Sequence, residues 1–459
     1  MKKKLFSIAV LSIISYSAFA GGLLTNTNQN VAYLRNMARD ATTEIDAAYS
    51  NPAGLAFLED GFHISLNVQS VYQTRTIVST FEPFIGYGGD ATKTFEGKAT
   101  APIVPSIQAA YKKNQWTFSA NFAITGGGGK AAFDNGLSSF ESQVAMLPFL
   151  LNKYGLQTTQ YSVESYMEGK QYVYGGQLGV TYKATDYFSA YVGGRVNYST
   201  NSYDGYIRNI QVNPTMPLLG LDGSMVSAER FKALGAVNPA LLQVAAGMAD
   251  KEVECTQSGL GFAPVLGAHF KMGKFNAAVK YEFNTPLTVK NKTEKDDTGL
   301  FPDGEKTTQD IPALFTAGLQ YDILPVLKAS GGFHYYFDKN ARMENNRQAY
   351  LDDNTYEVTL GLEWNITKRF LVSASILRTQ YGVSDDYEKD MSFSLSSFCY
   401  GFGGAFMITK DLKINAACFI TDYDNYTKKS DNYNNTGLSG QDVFKRTNKV
   451  FGLGINYRF

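Results

Sequence analysis

The chain lacks the long apolar run that a membrane-spanning helix requires. Such a helix takes about 20 consecutive apolar residues, and the nearest approach, Leu5 to Phe19, is short and interrupted by serines. Histidine and cysteine are scarce, with three residues of each. The histidines show no ligand-like spacing, and three cysteines make no disulfide framework. We therefore expect free thiols and neither a metal site, a cofactor nor catalytic residues.

An excess of charge of one sign is also absent. The chain carries 42 Lys and Arg against 42 Asp and Glu, which leaves no basic surface for nucleic acid. What the chain has in quantity is Tyr, Phe and Gly, with 30, 31 and 43 residues, at a mean hydropathy of −0.20. This combination suits membrane strands, which are apolar only at every second position.

The first twenty residues have the pattern of a secretory signal peptide. Lys2, Lys3 and Lys4 precede the apolar stretch, and Ala18-Phe19-Ala20 fits a cleavage site, so residues 1–20 are predicted to be removed. A retained anchor is the less favoured alternative because the stretch is short. An exported chain without a membrane helix is either soluble or a β-barrel.

The last ten residues, Val450 to Phe459, alternate between apolar and small or polar residues, as in a strand with one apolar face. A soluble protein rarely ends on such an exposed edge, because it would aggregate. The segment resembles the last strand of bacterial outer-membrane barrels, which ends in Phe. That resemblance implies the bacterial outer membrane as location and recognition of Phe459 by the barrel-assembly machinery.

Similar alternation recurs from residue 61 to the end, with connections of two kinds. Six short joints lie near residues 112–115, 183–186, 271–274, 322–325, 365–369 and 408–411. Seven longer ones lie at roughly 75–100, 127–169, 202–252, 285–309, 338–354, 382–390 and 424–442. This asymmetry predicts a transmembrane antiparallel β-barrel of fourteen strands over residues 61–459, with short helices in extracellular loops. A soluble all-β protein is the rival interpretation.

Residues 21–60 do not alternate, and they precede a first strand predicted from Phe62 to Thr74. The first strand must pair with the last to close the wall. Val31 to Tyr49 is rich in alanine with scattered charges, which favours short helical turns. A fourteen-strand barrel would otherwise be an open pore, so we predict that residues 21–60 plug the lumen.

Just upstream of the first strand, Asn51-Pro52-Ala53-Gly54-Leu55-Ala56 resembles the Asn-Pro-Ala hatch motif of the FadL-type outer-membrane transporters. The resemblance covers the whole mature chain. It implies a fourteen-strand barrel plugged by an N-terminal hatch that contains Asn51, Pro52 and Ala53. It also implies passive uptake of long-chain fatty acids or other hydrophobic compounds, from an outer groove through an inner pocket to a lateral exit.

In that family the exit forms at a kink in the third strand. Here the third strand ends at Gly126, Gly127, Gly128 and Gly129. Glycines weaken a strand and leave room for a bulge, so this run is the candidate kink. A flexible exit into a loop is an equally weighted alternative.

Two loop segments offer apolar side chains for the outer groove. The candidate residues are Phe140, Val144, Leu147, Phe149, Leu150, Leu151, Leu241 and Leu242. An exposed apolar cluster on a loop is costly unless it binds something. Alternatively, these helices pack on each other and cap the barrel. Pro148 is expected to interrupt or kink the first of them.

Arg195 and Lys280 are expected to face the lumen, because a charge facing lipid costs about 2–4 kcal/mol. Arg195 could pair with Asp40, Glu44 or Asp46 of the plug, or with a fatty-acid carboxylate. The leading hypothesis is a monomeric transporter for hydrophobic small molecules, surrounded by outer-membrane lipid and lipopolysaccharide. A FadL-fold partner of a secretion or surface-assembly system and a general diffusion porin are the alternatives.

Overall fold

Almost every alternating segment of the chain forms a strand that pairs with antiparallel neighbours. The computed structural model describes residue 23 and residues 28–459. The predicted signal peptide, residues 1–20, lies outside the described residues. Within the described part, none of the helices is long and apolar enough to cross a membrane.

Fourteen strands form one closed wall. In chain order they are β1 Gly61–Thr80, β2 Thr92–Lys113, β3 Trp116–Phe133, β4 Tyr161–Lys183, β5 Phe188–Val212, β6 Lys251–Met272, β7 Phe275–Glu282 with Thr288–Asp296, β8 Lys306–Thr308 with Leu314–Leu324, β9 Leu327–Tyr336, β10 Tyr356–Asn365, β11 Phe370–Gln380, β12 Ser397–Met407, β13 Leu412–Tyr423 with Tyr426–Ser430, and β14 Gly440–Arg458. The predicted fold is confirmed.

The first and last strands close the wall. β1 pairs with β2 on one side and with β14 on the other, with His63 opposite Arg458 and Thr80 opposite Gln441. Phe459 donates its backbone N–H to the carbonyl of Phe62 at 2.9 Å. The predicted pairing of the two ends is therefore confirmed, and it leaves the sheet without a free edge.

The two faces of the wall differ in polarity, as the alternation requires. In β14, Phe451 and Leu453 are half exposed on the outside, while Val450 is buried on the inside. The outward apolar band suits a lipid environment. All three cysteines are free thiols, as expected, and Cys399 is buried toward the lumen while Cys418 is not.

The six predicted short joints are the tight connections of one rim, and seven longer connections lie at the other, which we call the loop rim. The predicted loops were too long in most cases, because the strands continue beyond the apolar band. β1 reaches Thr80 rather than Thr74, and β5 reaches Val212 rather than about 201. In these extensions most outward positions are polar, such as Thr76, Thr80 and Asp204, so the apolar alternation that marks the strands is lost.

The residues before β1 lie inside the wall and form the plug, residues 28–58. It contains α1 Val31–Arg35, α2 Ala47–Ser50 and a 3₁₀ helix Pro52–Phe57. The side chain of Asn30 caps α1 by accepting the N–H of Ala32 at 2.8 Å. Most plug residues are buried, and their partners belong to strands all around the barrel.

Helices at the loop rim pack into one apolar cap. They are α3 Ser138–Lys153, α4 Ala228–Leu234 and α5 Ala240–Gly247, with 3₁₀ turns at Glu82–Tyr87, Pro217–Leu219, Asp338–Asn340, Glu344–Tyr350 and Tyr433–Asn435. Short strands Thr215–Met216 and Leu221–Asp222 pair with each other, and Val226–Ser227 pairs with β5. The helix α3 continues through Pro148, so the expected interruption is absent.

Candidate functional site

Asn51 holds the plug to the wall through its side-chain amide. Its Nδ2 donates to the carbonyls of Ala268 at 3.2 Å and Val279 at 2.9 Å, on β6 and β7. Its Oδ1 accepts the N–H of Ala53 at 3.2 Å and caps the 3₁₀ helix that Pro52 begins. The next two carbonyls are bound from β4 and β5, since Thr181 donates to Pro52 at 2.8 Å and Ser189 donates to Ala53 at 2.7 Å.

Buried ion pairs fix the middle of the plug. Arg35 pairs with Glu363 of β10, and neither side chain is more than 4% exposed. Arg39 forks onto Asp46 at 2.7 and 2.8 Å within the plug. Such pairs are costly to break, because each partner is then left as an isolated buried charge.

The carboxylates of the plug pair with residues other than Arg195. Asp40 lies 2.9 Å from Nε2 of His334 on β9, and Glu44 lies 2.7 Å from Nζ of Lys413 on β13. Burial alone would raise the pKa of Glu44, but Lys413 and Arg39 bring it well below its ordinary value.

Arg195 is buried toward the lumen, as expected, but its carboxylate partner belongs to the wall. It donates to Glu282 at 2.7 Å, and its guanidinium stacks 4.9 Å from the ring of Tyr49. Lys280, also buried, donates to the carbonyl of Tyr49 at 3.3 Å. Of the possible partners of Arg195, the plug carboxylates are therefore excluded, because Glu282 of β7, two strands away, takes that place.

Three adjoining cavities lie between the plug and the loop rim. The first, about 80 Å³, lies against Arg39, Asp40 and Tyr49 of the plug. The second, about 90 Å³, lies under the loops and shares Ile311 and Pro312 with the first. The third, about 190 Å³, is the largest of these three. The described part of the lumen is therefore not packed solid.

A fourth cavity of about 860 Å³ opens among the loops themselves. Its lining is mostly charged or amide side chains, with Phe140 and Met391 among the few apolar ones. It shares Glu344 and Arg347 with the cavity beneath it. Its lining includes Glu388, a fully buried carboxyl whose pKa burial raises to about 8.

The third lumen cavity reaches the wall at a break between β2 and β3. These strands pair from Gly97 to Thr100 and again from Ile107, and the residues between have no partner in β3. Opposite β4, β3 contains two extra residues between Ile124 and Gly129. Gly126, Gly127 and Gly129 line the cavity.

Gly127 shows why glycine is required in this break. Its φ is 102°, and a Cβ there would lie 2.2 Å from the carbonyl oxygen of Gln171. An L-amino acid with a side chain fits neither the dihedral angle nor the space. The run at 126–129 therefore forms a local bulge inside β3 rather than the beginning of a loop, since the strand continues to Phe133.

The candidate groove residues divide into two sets. The side chains of Val144, Leu147, Leu151 and Leu241 are buried inside the apolar cap, and Phe140 packs against it partly buried. Phe149 and Leu242 remain 44% and 48% exposed, and Leu150 is intermediate. The geometry brings α3 into the cap and leaves only a few of the predicted apolar side chains accessible at the loop rim.

Sequence reasoning missed the polar partners that hold the plug and one pair of lumen cations. The sequence pattern predicts no plug partner in His334, Glu357 or Glu363, although each lies at an inward position of its strand. Arg75 was placed in a loop, although it lies in β1 directly opposite Arg446 of β14. A strand phase continued past Thr74 would have placed Arg75 on the inner face.

Comparisons with solved structures agree on the fold. A FadL homologue of Pseudomonas aeruginosa is 14% identical at a TM-score of 0.65, over 95% of this chain and 100% of the other. The Pseudomonas putida toluene transporter TodX is 14% identical at 0.57, over 95% and 100%. The Ralstonia pickettii toluene transporter TbuX is 15% identical at 0.52, over 92% and 97%. No protein-family model matches the chain, and no curated protein matches it. The chain has the fold of the FadL-type transporters.

Proposed function

We propose that the chain is a bacterial outer-membrane channel through which hydrophobic small molecules, most simply long-chain fatty acids, diffuse passively. The observation that carries this proposal is the break between β2 and β3, which lies beside the largest of the lumen cavities. Residues 21–60 act as the hatch, anchored by Asn51, Pro52 and Ala53. Gly126 to Gly129 keep the wall open where the ligand leaves.

The physical chemistry of the cargo favours a lateral exit. A hydrophobic molecule gains about 0.8 kcal/mol for each CH₂ group that leaves water, so a wet central pore serves it poorly. The plug fills the middle of the barrel, with Arg35 and Asn51 buried against the wall. A ligand that enters from the loop rim therefore meets apolar lipid soonest through the break between β2 and β3.

The accessible apolar side chains at the loop rim capture the ligand. Phe149 and Leu242 are the exposed members of the predicted set, and Leu150 follows Phe149 in sequence. Val144, Leu147, Leu151 and Leu241 shape this surface from beneath, because they pack the cap. The binding and capping interpretations thus apply to different residues of the same helices.

Both alternatives fit the geometry less well. A general porin needs a broad aqueous channel, whereas the plug contacts strands on opposite sides of the barrel, such as β6 and β13. A purely structural partner of a secretion system has no use for adjoining lumen cavities. Outer-membrane lipid, lipopolysaccharide and the barrel-assembly machinery, through Phe459, are the proposed partners of a monomer.

The test is uptake in bacteria that have no other channel of this kind. Cells that express the full chain should take up radiolabelled oleate faster than cells with an empty vector, whereas uptake of the hydrophilic solute lactose should not change. Faster uptake of lactose as well would support a porin. Unchanged uptake of oleate, with the barrel present in the outer membrane, would contradict the proposal.

A further inference from the structure

Two arginines lie directly opposite each other inside the barrel. Arg75 of β1 and Arg446 of β14 are register partners across the seam that closes the wall. Both are at inward positions, and both line the lumen cavity of about 190 Å³. Like charges directly opposite each other on one face of a sheet are destabilising, so this pair needs an explanation.

Neither guanidinium has a carboxylate partner. Arg75 is 7% exposed, its side chain makes no hydrogen bond to a described residue, and its Nε is buried without a partner among them. Arg446 donates from Nη2 to Gln73 at 2.9 Å and stacks 5.1 Å from the ring of Tyr423, and its Nε also lacks a partner. The residues that the structure does not describe, 1–22 and 24–27, contain neither Asp nor Glu.

Each of the other buried arginines of the described chain has a carboxylate partner. Arg35 pairs with Glu363, Arg39 with Asp46, and Arg195 with Glu282. Around the cavity of Arg75 and Arg446 the lining contains no other charged residue. Two positive charges therefore face one cavity, and the described residues supply no counter-charge there.

The charge and the shape of this space indicate its occupant. Guanidinium groups stay protonated and bind the oxygens of phosphate or carboxylate with paired hydrogen bonds. Two positive charges on one cavity are neutralised by a head group with two negative charges, as in a phosphate monoester, and only half neutralised by a single carboxylate. Val71 and Val450 lie four residues from Arg75 and Arg446 along the same strands, about 13 Å away. They line the cavity together with Leu377 and Phe419.

We propose that Arg75 and Arg446 bind the doubly charged phosphate head of an amphiphile, such as an alkyl phosphate, whose alkyl chain lies along the apolar part of the cavity. This assignment deepens the proposed function, since it names a cargo class for the same channel. The chain would then lead toward Gly126 and Gly127, which line the same cavity at the break in the wall.

The experiment is native mass spectrometry of the full chain, extracted in mild detergent, with four probes of graded head charge. They are dodecyl phosphate, dodecanoate, dodecanol and inorganic phosphate. Dodecyl phosphate should bind most tightly and lose affinity below about pH 6, where its head becomes a monoanion. The double variant Arg75→Gln, Arg446→Gln should weaken it by about tenfold to hundredfold for each lost guanidinium.

The matched control is Arg378→Gln, which removes a guanidinium that pairs with Asp424 away from this cavity. It should leave the affinity for dodecyl phosphate unchanged. Arg75→Lys should keep part of that affinity, because the positive charge remains while the paired hydrogen bonds of the guanidinium are lost. Heat-modifiable migration in gels reports whether each variant still forms the barrel.

Three results would overturn the assignment. They are equal binding of dodecanol and dodecyl phosphate, equal binding of inorganic phosphate, or unchanged binding by a folded double variant. Uptake of neutral dodecanol by cells tests the proposed channel separately. If dodecanol enters and dodecyl phosphate shows no arginine dependence, the channel stands and the phosphate site falls. If dodecyl phosphate binds through the arginines and neither dodecanol nor oleate enters, the site stands and the channel falls.

Discussion

The side-chain oxygen of Asn51 fills the space where Gly267 has no side chain. A Cβ on Gly267 would lie 2.5 Å from this oxygen, too close for any real contact. Asn51 cannot move away freely, because its Nδ2 is held by the carbonyls of Ala268 and Val279. The plug and the wall are thus fitted to each other at the hatch motif.

The substitution Gly267→Ala should therefore loosen the plug. We expect it to lower the free energy of unfolding by about 1–3 kcal/mol, as in other overpacked sites, and to raise the single-channel conductance in planar bilayers. Gly176→Ala is the control, since nothing lies within 4 Å of a Cβ there. Equal conductance of the two variants would show that Asn51 does not secure the plug.

Glu363→Gln should destabilise the protein more than any surface substitution. It leaves Arg35, which is fully buried, without its carboxylate, and a buried pair broken on one side costs about 3–5 kcal/mol. Urea unfolding in lipid vesicles would measure the loss. The exposed pair of Glu96 and Lys98 is the comparison, and Glu96→Gln should change stability by less than about 1 kcal/mol. Similar losses for both would refute the anchoring role of Arg35.

The loop that contains Glu388 should open as the pH rises. Burial raises the pKa of Glu388 to about 8 from an ordinary value of 4.5, despite two hydrogen bonds from the N–H of Ser394. The folded loop then holds a proton that the open loop releases between about pH 4.5 and 8. Its stability is complete below about pH 4.5 and is lost progressively as the pH rises through 8.

Hydrogen exchange of residues 382–396 at pH 5 and pH 9, corrected for intrinsic rates, measures this effect. Exchange should be faster at pH 9 in the native chain, and Glu388→Gln should remove most of the difference. Arg347, Lys428 and Asp385 also interact electrostatically with Glu388. An undiminished pH dependence in Glu388→Gln would assign it to another group.

Substitutions at two nearby residues of α3 should separate the packing of the apolar cap from the capture of the ligand. Leu151 is fully buried in the cap, so Leu151→Ala should cost about 2–5 kcal/mol of local stability, seen as faster proteolysis of the loops. Phe149 is 44% exposed, so Phe149→Asp should leave proteolysis unchanged and reduce oleate binding. If Phe149→Asp binds oleate normally, capture lies elsewhere on the loop rim.

The wall could be predicted from the sequence because its signals are local. Alternation with period two and short polar joints, such as Lys112 to Gln115, fix strand number and direction without knowledge of distant contacts. The ends of the strands at the loop rim could not be predicted, since residues such as Lys290 and Lys292 lie on strands whose outer positions are charged. At these positions a strand is as polar as a loop, so the sequence does not distinguish the two.

The site could be predicted only in part. The hatch motif and the glycine run were found through a family resemblance, and the structure shows their local geometry. The pairs Arg75 with Arg446 and Asp40 with His334 join residues 371 and 294 positions apart. Such pairs depend on the register of the closed barrel and on the path of the plug, which no local pattern encodes.

The central claim is that cargo leaves through the break between β2 and β3, which the bulge of β3 holds open, and a two-residue deletion in that bulge tests it. Removing Gly127 and Gly128 takes out the two extra residues of β3 and keeps the inward and outward phases of the strand, so that β3 can pair continuously with β4. The matched control removes Gly88 and Gly89 from the first loop, where nothing lies within 4 Å of a Cβ.

Uptake of radiolabelled oleate should fall to the vector background in the first deletion and stay at the native rate in the control, with both barrels present in the outer membrane. Native uptake through a folded barrel that lacks Gly127 and Gly128 would contradict a lateral exit at this site.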